Sequence, residues 1–423
     1  MKIALTTVGC KLNQYETSAM SELLRENGFE IAPFFSCADF YVVNSCSVTK
    51  KAELDTRKFI KKAKRINPRA KIIITGCCAS LIDPLSVDLI LNNKQKTKIA
   101  DYVYKLQKDA PSKTFSGKEN TVFFPSFKTF FEHSRAFIKI QDGCDVSCSY
   151  CIVPQVRGKS QSQKEDEILE QAKIFINRGY KEIVISGVNI GAYGRDFFPE
   201  TNLAGLLKKL IAIPGLGRIR LSSIEPQEFD KELLDIIKDP RICPHLHLPL
   251  QSGDDKILEA MRRKYRVRYY LCLIDALFEK VPDLNLGTDI IAGFPGEGDK
   301  EFNNTFELVK KIPFAYLHIF RYSQRPGTIA ESFDNQVAEK IKKERAMRLA
   351  VLNKEKKDLY AGKFLNKTLQ AFIENRRDNK TKRCIGLSDN YLRLYINGPE
   401  EIKNQIVTVR ITGTGDKIFA EVC

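Results

Sequence analysis

Lys139-Ile140-Gln141-Asp142-Gly143-Cys144-Asp145-Val146-Ser147-Cys148-Ser149-Tyr150-Cys151 is the stretch around which the chain can be organised. Its cysteines are spaced C-x3-C-x2-C, with an aromatic residue before the third. Thiolates this close together, in a chain without secretory features, read as metal ligands. A closed zinc site would need a fourth Cys or His, and the loop holds none. Three soft ligands suit an iron–sulfur cluster that leaves one iron open to an exogenous ligand.

On the amino-terminal side, short apolar runs alternate with helical patterns. Residues 2–7, 40–44 and 71–75 read as strands, and residues 12–27 and 49–66 as helices, the second very basic. Leu12, Met20, Leu23 and Leu24 mark the apolar side of the first helix, and Gly28 its end. This order predicts a small parallel α/β domain whose ligands sit at the carboxyl ends of its strands. Those ends are Gly9-Cys10, Asn44-Ser45-Cys46 and Gly76-Cys77, so three distant cysteines are expected to meet on one rim. Ordinary buried cysteines are the alternative reading.

Residues 109–132 are polar, aromatic-tinged and without clear periodicity, and read as a linker. Strands are expected at 137–141, 182–186, 218–222, 245–250, 286–291 and 314–320, with helices between them at 163–178, 229–238 and 271–280. Six βα units make an incomplete barrel. Residues 337–361 form a long basic helix, and residues 364–423 switch to period-two alternation, with turns at Asn397-Gly398 and 413–415, as a small all-β barrel does. The expected division is 1–108, a linker at 109–132, 133–362 and 363–423.

The chain has 423 residues and a formal net charge of +16, the signature of a polyanionic partner. Twelve cysteines are too sparse for a disulfide scaffold. No apolar run approaches the ~18 residues of a membrane span. The first ten residues superficially resemble a lipoprotein signal, but their apolar part is too short. The expected setting is the reducing cytoplasm, with no membrane and no DNA partner.

The cysteine loop resembles that of radical S-adenosylmethionine (SAM) enzymes. Cys10–Thr17 with Gly9, then 44–49, then Thr75-Gly76-Cys77, together with 247–253 (HLPLQSG) and 288–297 (TDIIAGFPGE), resemble the motifs of the methylthiotransferases. Residues 364–423 resemble the RNA-binding TRAM barrel. Within the family, the first motif, the HLPLQSG segment and Tyr322–Thr328 resemble the branch that modifies N6-threonylcarbamoyladenosine in tRNA. The branches acting on isopentenyladenosine and on a ribosomal protein match less well, and a non-catalytic iron–sulfur RNA-binding protein is the alternative of another class. Cys77-Cys78 is a departure, since the family has one cysteine there; Ser80 is another, where glutamine is usual.

The resemblance implies two [4Fe–4S] clusters, one on Cys144, Cys148 and Cys151 and an auxiliary one on Cys10, Cys46 and Cys77, with Cys78 as the fallback ligand. It implies SAM as cofactor, C2 of the adenine at position 37 as the target, the tRNA anticodon stem-loop as partner, and an electron donor such as flavodoxin or ferredoxin. For SAM, the candidate contacts are Asn189, Ser223, Glu225, Gln251 and Arg263, with Tyr150 and Ile152 flanking its adenine. A zinc site at Cys243, His245 and His247 lacks a fourth ligand, so inward-facing barrel residues are expected there. Basic residues at 50–69, along 337–361 and at Arg376, Arg377, Lys380, Lys382 and Arg383 are candidate phosphate contacts. Arg321 and Arg325 flank Tyr322-Ser323-Gln324 and are placed to read a carboxylate on the base.

Overall fold

The computed structural model describes residues 1–47, 49–108, 122–127 and 134–423. In the first unit, β1 (Lys2–Thr7), α1 (Lys11–Glu26), β2 (Glu30–Ala32), β3 (Phe40–Ser45), α2 (Lys50–Ile66), β4 (Lys71–Gly76), β5 (Leu89–Ile90) and α3 (Ile99–Gln107) follow one another. The five strands form a sheet in the order β2-β1-β3-β4-β5, every pair parallel. Strand β3 (FYVVNS) is buried along its whole length, as a run covered by helices on both faces must be. In this strand order ligands collect where the connections diverge, between β1 and β3. Cys10 follows β1 and Cys46 follows β3, so two of the rim cysteines stand at that switch point, with Cys77 at the end of the next strand.

The second unit begins with β6 (Ala136–Lys139). A short hairpin of β7 (Gln141–Asp142) and β8 (Gln161–Ser162) carries the cysteine loop and α4 (Val153–Arg157) at its tip. Then come α5 (Glu165–Asn177), β9 (Glu182–Ser186), α6 (Leu203–Ile211), β10 (Arg218–Leu221), α7 (Lys231–Ile236), β11 (His245–His247), α8 (Asp255–Ala260), α9 (Val267–Lys280), β12 (Asn285–Ala292), α10 (Asp299–Lys311) and β13 (Tyr316–Arg321). Strands β6, β9 and β10 pair in parallel, as do β11, β12 and β13. Bridges Ile219 to Ile242 and Ser223 to His247 join the two sets into a six-strand partial barrel. Strand β11 is shorter than its hydrophobic run, because the chain turns at Pro249 toward Gln251, which takes a positive φ of 65°.

Helix α11 (Glu339–Gly362) leads to β14 (Thr368–Arg377), β15 (Cys384–Ser388), β16 (Arg393–Asn397), β17 (Ile406–Gly413) and β18 (Ile418–Val422). These close into a barrel in the order β14-β15-β16-β18-β17. Lys380, Lys382 and Arg383 share the turn between β14 and β15, as expected, whereas Arg376 and Arg377 end strand β14. No helix among the described residues is long and apolar enough to cross a membrane.

Of the expected linker, 109–121 and 128–132 lie outside the described residues. The described part, 122–127, is packed rather than solvated. Phe123 and Phe127 are buried in the main core, the Tyr15 hydroxyl donates to the Pro125 carbonyl at 2.7 Å, and the Phe127 ring meets Tyr15 and Phe175. Apolar side chains in an otherwise polar segment caused this difference: they fill the seam between the first two units.

Candidate active site

The cysteine loop opens at Gly143, whose φ of +73° is left-handed; a Cβ there would stand 1.9 Å from the Lys159 carbonyl oxygen. Only glycine lets the two arms of the loop approach so closely. The Cys144 amide then donates to the Gly158 carbonyl, the Val146 amide to Cys144 Sγ at 3.4 Å, and the Cys151 amide to the Cys148 carbonyl. Ser149 fixes the loop to the barrel by its amide to Met261 and its hydroxyl to Ala260. Burial pushes the Cys144 thiol up to about 11 and the Cys151 thiol up to about 12.

The second cysteine group forms the rim of the first sheet. Gly9 has a φ of +102°, and a Cβ on it would lie 2.8 Å from Cys46 Sγ, so β1 ends against that sulfur. Asn13 ties the strand ends together, donating from Nδ2 to the Val8 and Ser45 carbonyls. Cys10 caps the start of α1 and opens to the surface. It lies within electrostatic reach of Arg157 and Cys77. The adjacent cysteines part company: Cys77 receives an N–H from Arg157 Nε at 3.1 Å, whereas Cys78 packs into the apolar core under α2.

Arg157 links the two groups. It ends α4, the short helix that starts just beyond Cys151, and its guanidinium reaches across the seam. Nη1 donates to Glu16 at 2.9 Å and to both Asp142 oxygens at 3.0 Å; Nη2 donates to Asn13 Oδ1 at 2.9 Å. Lys139 bridges the same carboxylates, at 2.9 and 2.6 Å, and Lys96 Nζ donates to Glu16 Oε2. Burial pushes the Glu16 carboxyl up, but Arg157, Lys139 and Lys96 outweigh it and hold the group well below its ordinary value. No signal in the sequence pointed to this network: its members are scattered from Glu16 to Arg157.

The residues expected around SAM are brought together only in part. Glu225 and Arg263 meet beside the cysteine loop, with Arg263 Nη2 on Glu225 and Nη1 3.3 Å from Cys148 Sγ. The Arg263 fork, expected to clamp the SAM carboxylate, is therefore occupied by a carboxylate of the chain itself, with Nε held by Tyr265. Tyr150 packs toward Phe294, and Ile152 is buried at the start of α4. Asn189 binds Glu228 through Nδ2 at 3.3 Å, and its buried Oδ1 has no partner. Gln251 is buried on the bend after β11. The Ser223 hydroxyl meets His247 Nδ1 at 2.8 Å.

His247 does not join Cys243. It meets Asp289 at 3.0 Å, and His318 reaches the same carboxylate at 3.2 Å. Burial raises the Asp289 carboxyl, but the two imidazoles prevail and hold it well below the usual range. His245 lies one layer below, stacked on Tyr391 with centroids 3.9 Å apart. Both histidines face inward from the barrel strand, as expected.

The basic runs divide. On α2 the buried residues are Thr56, Ile60 and Ala63, so its lysines face solvent. On α11 three of the expected phosphate contacts point inward instead. Lys342 is buried against Tyr322, Arg345 pairs with Glu297 and Asp299 at 2.8 Å each, and Lys356 donates to the Lys310 and Ile312 carbonyls. Arg321 is exposed and pairs with the exposed Glu339 at 3.6 Å. Arg325 is buried, with one bond of 3.4 Å to Glu53.

Residues 138–309 match the family described as the radical SAM superfamily, and residues 2–90 match one described as uncharacterized protein family UPF0004. The threonylcarbamoyladenosine tRNA methylthiotransferase MtaB of Bacillus subtilis is 35% identical, over 98% of this chain and 94% of that protein. The protein of the same name from Aquifex aeolicus is 37% identical, over 95% of this chain and 98% of its own length. The chain belongs to the radical SAM methylthiotransferase family. A tRNA-2-methylthio-N(6)-dimethylallyladenosine synthase of Methylacidiphilum infernorum is 33% identical over 99% of this chain and 93% of that protein, so both named tRNA branches are similar along their whole lengths. Among solved structures, the radical SAM methyltransferase TsrM of Kitasatospora setae shares the fold, with a TM-score of 0.57 at 12% identity, covering 78% of this chain and 75% of that one. The family implies a [4Fe–4S] cluster and SAM, and the donor set fits: three thiols converge on one loop with no fourth Cys or His inside it.

Proposed function

We propose that this enzyme methylthiolates C2 of N6-threonylcarbamoyladenosine at position 37 of tRNA, using two clusters, one on Cys144, Cys148 and Cys151 and one on Cys10, Cys46 and Cys77. The observation that carries the reading is Arg157: the helix beginning just after the third cysteine of one group donates to a cysteine of the other. The second group fits a cluster for the same reason as the first, three sulfurs at the ends of strands β1, β3 and β4 that leave one iron position open. When bound, the clusters and SAM supply a radical at 5′-deoxyadenosine and a sulfur for C2; the protein supplies placement.

Each residue then has a task. Gly9 lets the rim close, Asn13 holds its strand ends, and Arg157 fixes Cys77 relative to the cysteine loop. Glu225 and Arg263, paired with each other beside Cys148, would border the polar end of SAM. Asn189, with a buried open acceptor beyond the second barrel strand, would take its ammonium; Tyr150, Ile152, Ser223 and Gln251 would complete the wall around SAM. Residues 1–108 serve as the auxiliary-cluster unit, 133–362 as the radical unit with its trailing helix, and 363–423 as an RNA-binding barrel. An electron donor such as flavodoxin or ferredoxin and a cytoplasmic setting complete the proposal.

The choice of base is supported by the names of the Bacillus and Aquifex relatives, which is analogy. Nucleoside mass spectrometry of tRNA from cells with and without the protein tests it. Competition in vitro between threonylcarbamoylated and isopentenylated anticodon stem-loops decides the branch. Equal or faster methylthiolation of the isopentenylated loop would overturn the assignment.

A further inference from the structure

Arg325 is 5% exposed, yet its Nε and Nη2 have no hydrogen-bond partner. Its one bond, from Nη1 to Glu53 Oε2, is 3.4 Å long, and Glu53 is shared with Arg57, which binds its other oxygen at 3.1 Å. Among the described residues no other arginine has buried donors left open. Arg157, Arg218, Arg220, Arg263 and Arg345 are all buried against carboxylates of the chain.

The open atoms form one edge of the guanidinium. Nε–H and one Nη2–H point in parallel, the spacing that meets two oxygens of a carboxylate or a phosphate. A guanidinium keeps its proton under any condition in which a protein is folded, so the group cannot escape burial by neutralising. Buried donors left open are costly, and the long bond to a carboxylate shared with Arg57 leaves this edge to be completed by an anion.

The place of the fork says which anion. Arg325 lies on the turn after β13, held on one side to the radical unit and on the other to the first unit. Gln155 of α4 donates to the Gly327 carbonyl at 2.7 Å, and the Ala330 amide to the Ser149 carbonyl at 2.8 Å, both within the cysteine-loop region. Glu53 belongs to α2, and Arg325 acts electrostatically on Cys78, the neighbour of Cys77. The guanidinium therefore sits where the cysteine-loop region meets the α2 side of the first unit.

We propose that Arg325 is the oxyanion-binding fork of the substrate pocket, completed by an oxygen pair of the tRNA. It rests on the reading that tRNA is the substrate. Two sources on that substrate share the chemistry: the carboxylate of the N6 group and the phosphate beside the modified nucleotide.

The test uses the reconstituted holoenzyme and anticodon stem-loops carrying either the threonylcarbamoyl group or its carboxamide, which lacks the charge. Affinity is read by fluorescence anisotropy, and uncoupled SAM cleavage is followed in parallel. Arg325→Gln should weaken binding of the threonylcarbamoylated loop by about tenfold or more, and Arg325→Lys should recover part of it, with cleavage unchanged. If the wild type binds the carboxamide as weakly as Arg325→Gln does, the partner is the carboxylate. If Arg325→Gln weakens both loops alike, it is the phosphate. Unchanged affinity in both variants, or loss of uncoupled SAM cleavage in Arg325→Lys, overturns the proposal. A wild type that modifies only the isopentenylated loop refutes the base assignment instead and leaves the phosphate arm standing.

Discussion

Two buried charge clusters seam this molecule, and they end differently. At the first seam, Glu16 and Asp142 face Lys96, Lys139 and Arg157, so the cations outnumber the carboxylates by one. At the second, Glu182 faces Arg218, Arg220 and Arg135. The second surplus goes to the carboxyl-terminal barrel: Arg135 pairs with Glu374 at 3.8 Å, and Arg218 donates to the Gln370 and Leu387 carbonyls and Arg220 to those of Asp389 and Ser388, at 2.9–3.1 Å. The first surplus goes to the sulfur of Cys77. One seam is a dock between units; the other ends on a sulfur of the cysteine rim.

The largest effect is expected from Glu16→Leu. It leaves Lys96 without a carboxylate in a dry site and only Asp142 to face Lys139 and Arg157, and breaking a buried pair costs about 3–5 kcal/mol. Chemical denaturation of the apoprotein measures it. A loss below about 1 kcal/mol would mean that water reaches the cluster and that the seam is not the closed network described here.

Arg220→Met should cost less, about 2 kcal/mol, because Arg218 and Arg135 still neutralise Glu182. The same substitution should loosen the last barrel, since two of the carbonyl contacts go with it. Hydrogen exchange in β15 reports this. Protection there equal to that of the wild type would show that the carbonyl contacts are not what holds the dock.

Much of this architecture could be read from the chain. The strands at β1, β3 and β4 lie within a residue or two of their apolar runs, and placing a cysteine after each predicted the rim. The period change at 364 marked the last barrel. The seams could not be read. Arg157 meets Glu16 across 141 positions and Arg218 meets Leu387 across 169, and a single charged residue carries no periodicity that would reveal such a partner. The same limit misled the reading of α11, where Lys342, Arg345 and Lys356 look like their solvated neighbours in sequence. Arg325 was singled out in the sequence, but its burial and its open edge depend on the α2 side of the seam.

Acid should weaken both seams. Burial pushes the carboxyls of Glu16 and Glu182 up, but the surrounding cations prevail and hold both below the ordinary glutamate value of 4.5. Each therefore binds fewer protons folded than unfolded. Their stabilisation is complete above that value and is lost as pH falls below it toward the folded values, at up to about 1.4 kcal/mol per pH unit for each group. Denaturant midpoints between pH 6 and pH 3 should fall, and Glu182→Gln should flatten the curve. A variant as steep as the wild type would place the acid response elsewhere.

The smallest effect separates two helices of similar charge. Lys61 on α2 is exposed, while Lys356 on α11 is spent on the Lys310 and Ile312 carbonyls. A solvated lysine that touches a phosphate releases a counterion on binding, so its loss lowers the salt slope of tRNA affinity by about 1. Lys61→Ala should therefore bind tRNA a few-fold more weakly at low salt, on the order of 1 kcal/mol or less, with no change in melting. Lys356→Met should do the reverse: the salt slope stays and the melting point falls, because two buried carbonyls lose their donor. Titrations across a range of potassium concentrations read both. A shallower slope in Lys356→Met with unchanged melting would mean that this lysine leaves its carbonyls for the RNA. The division of the basic residues between binding and packing would then fail at α11.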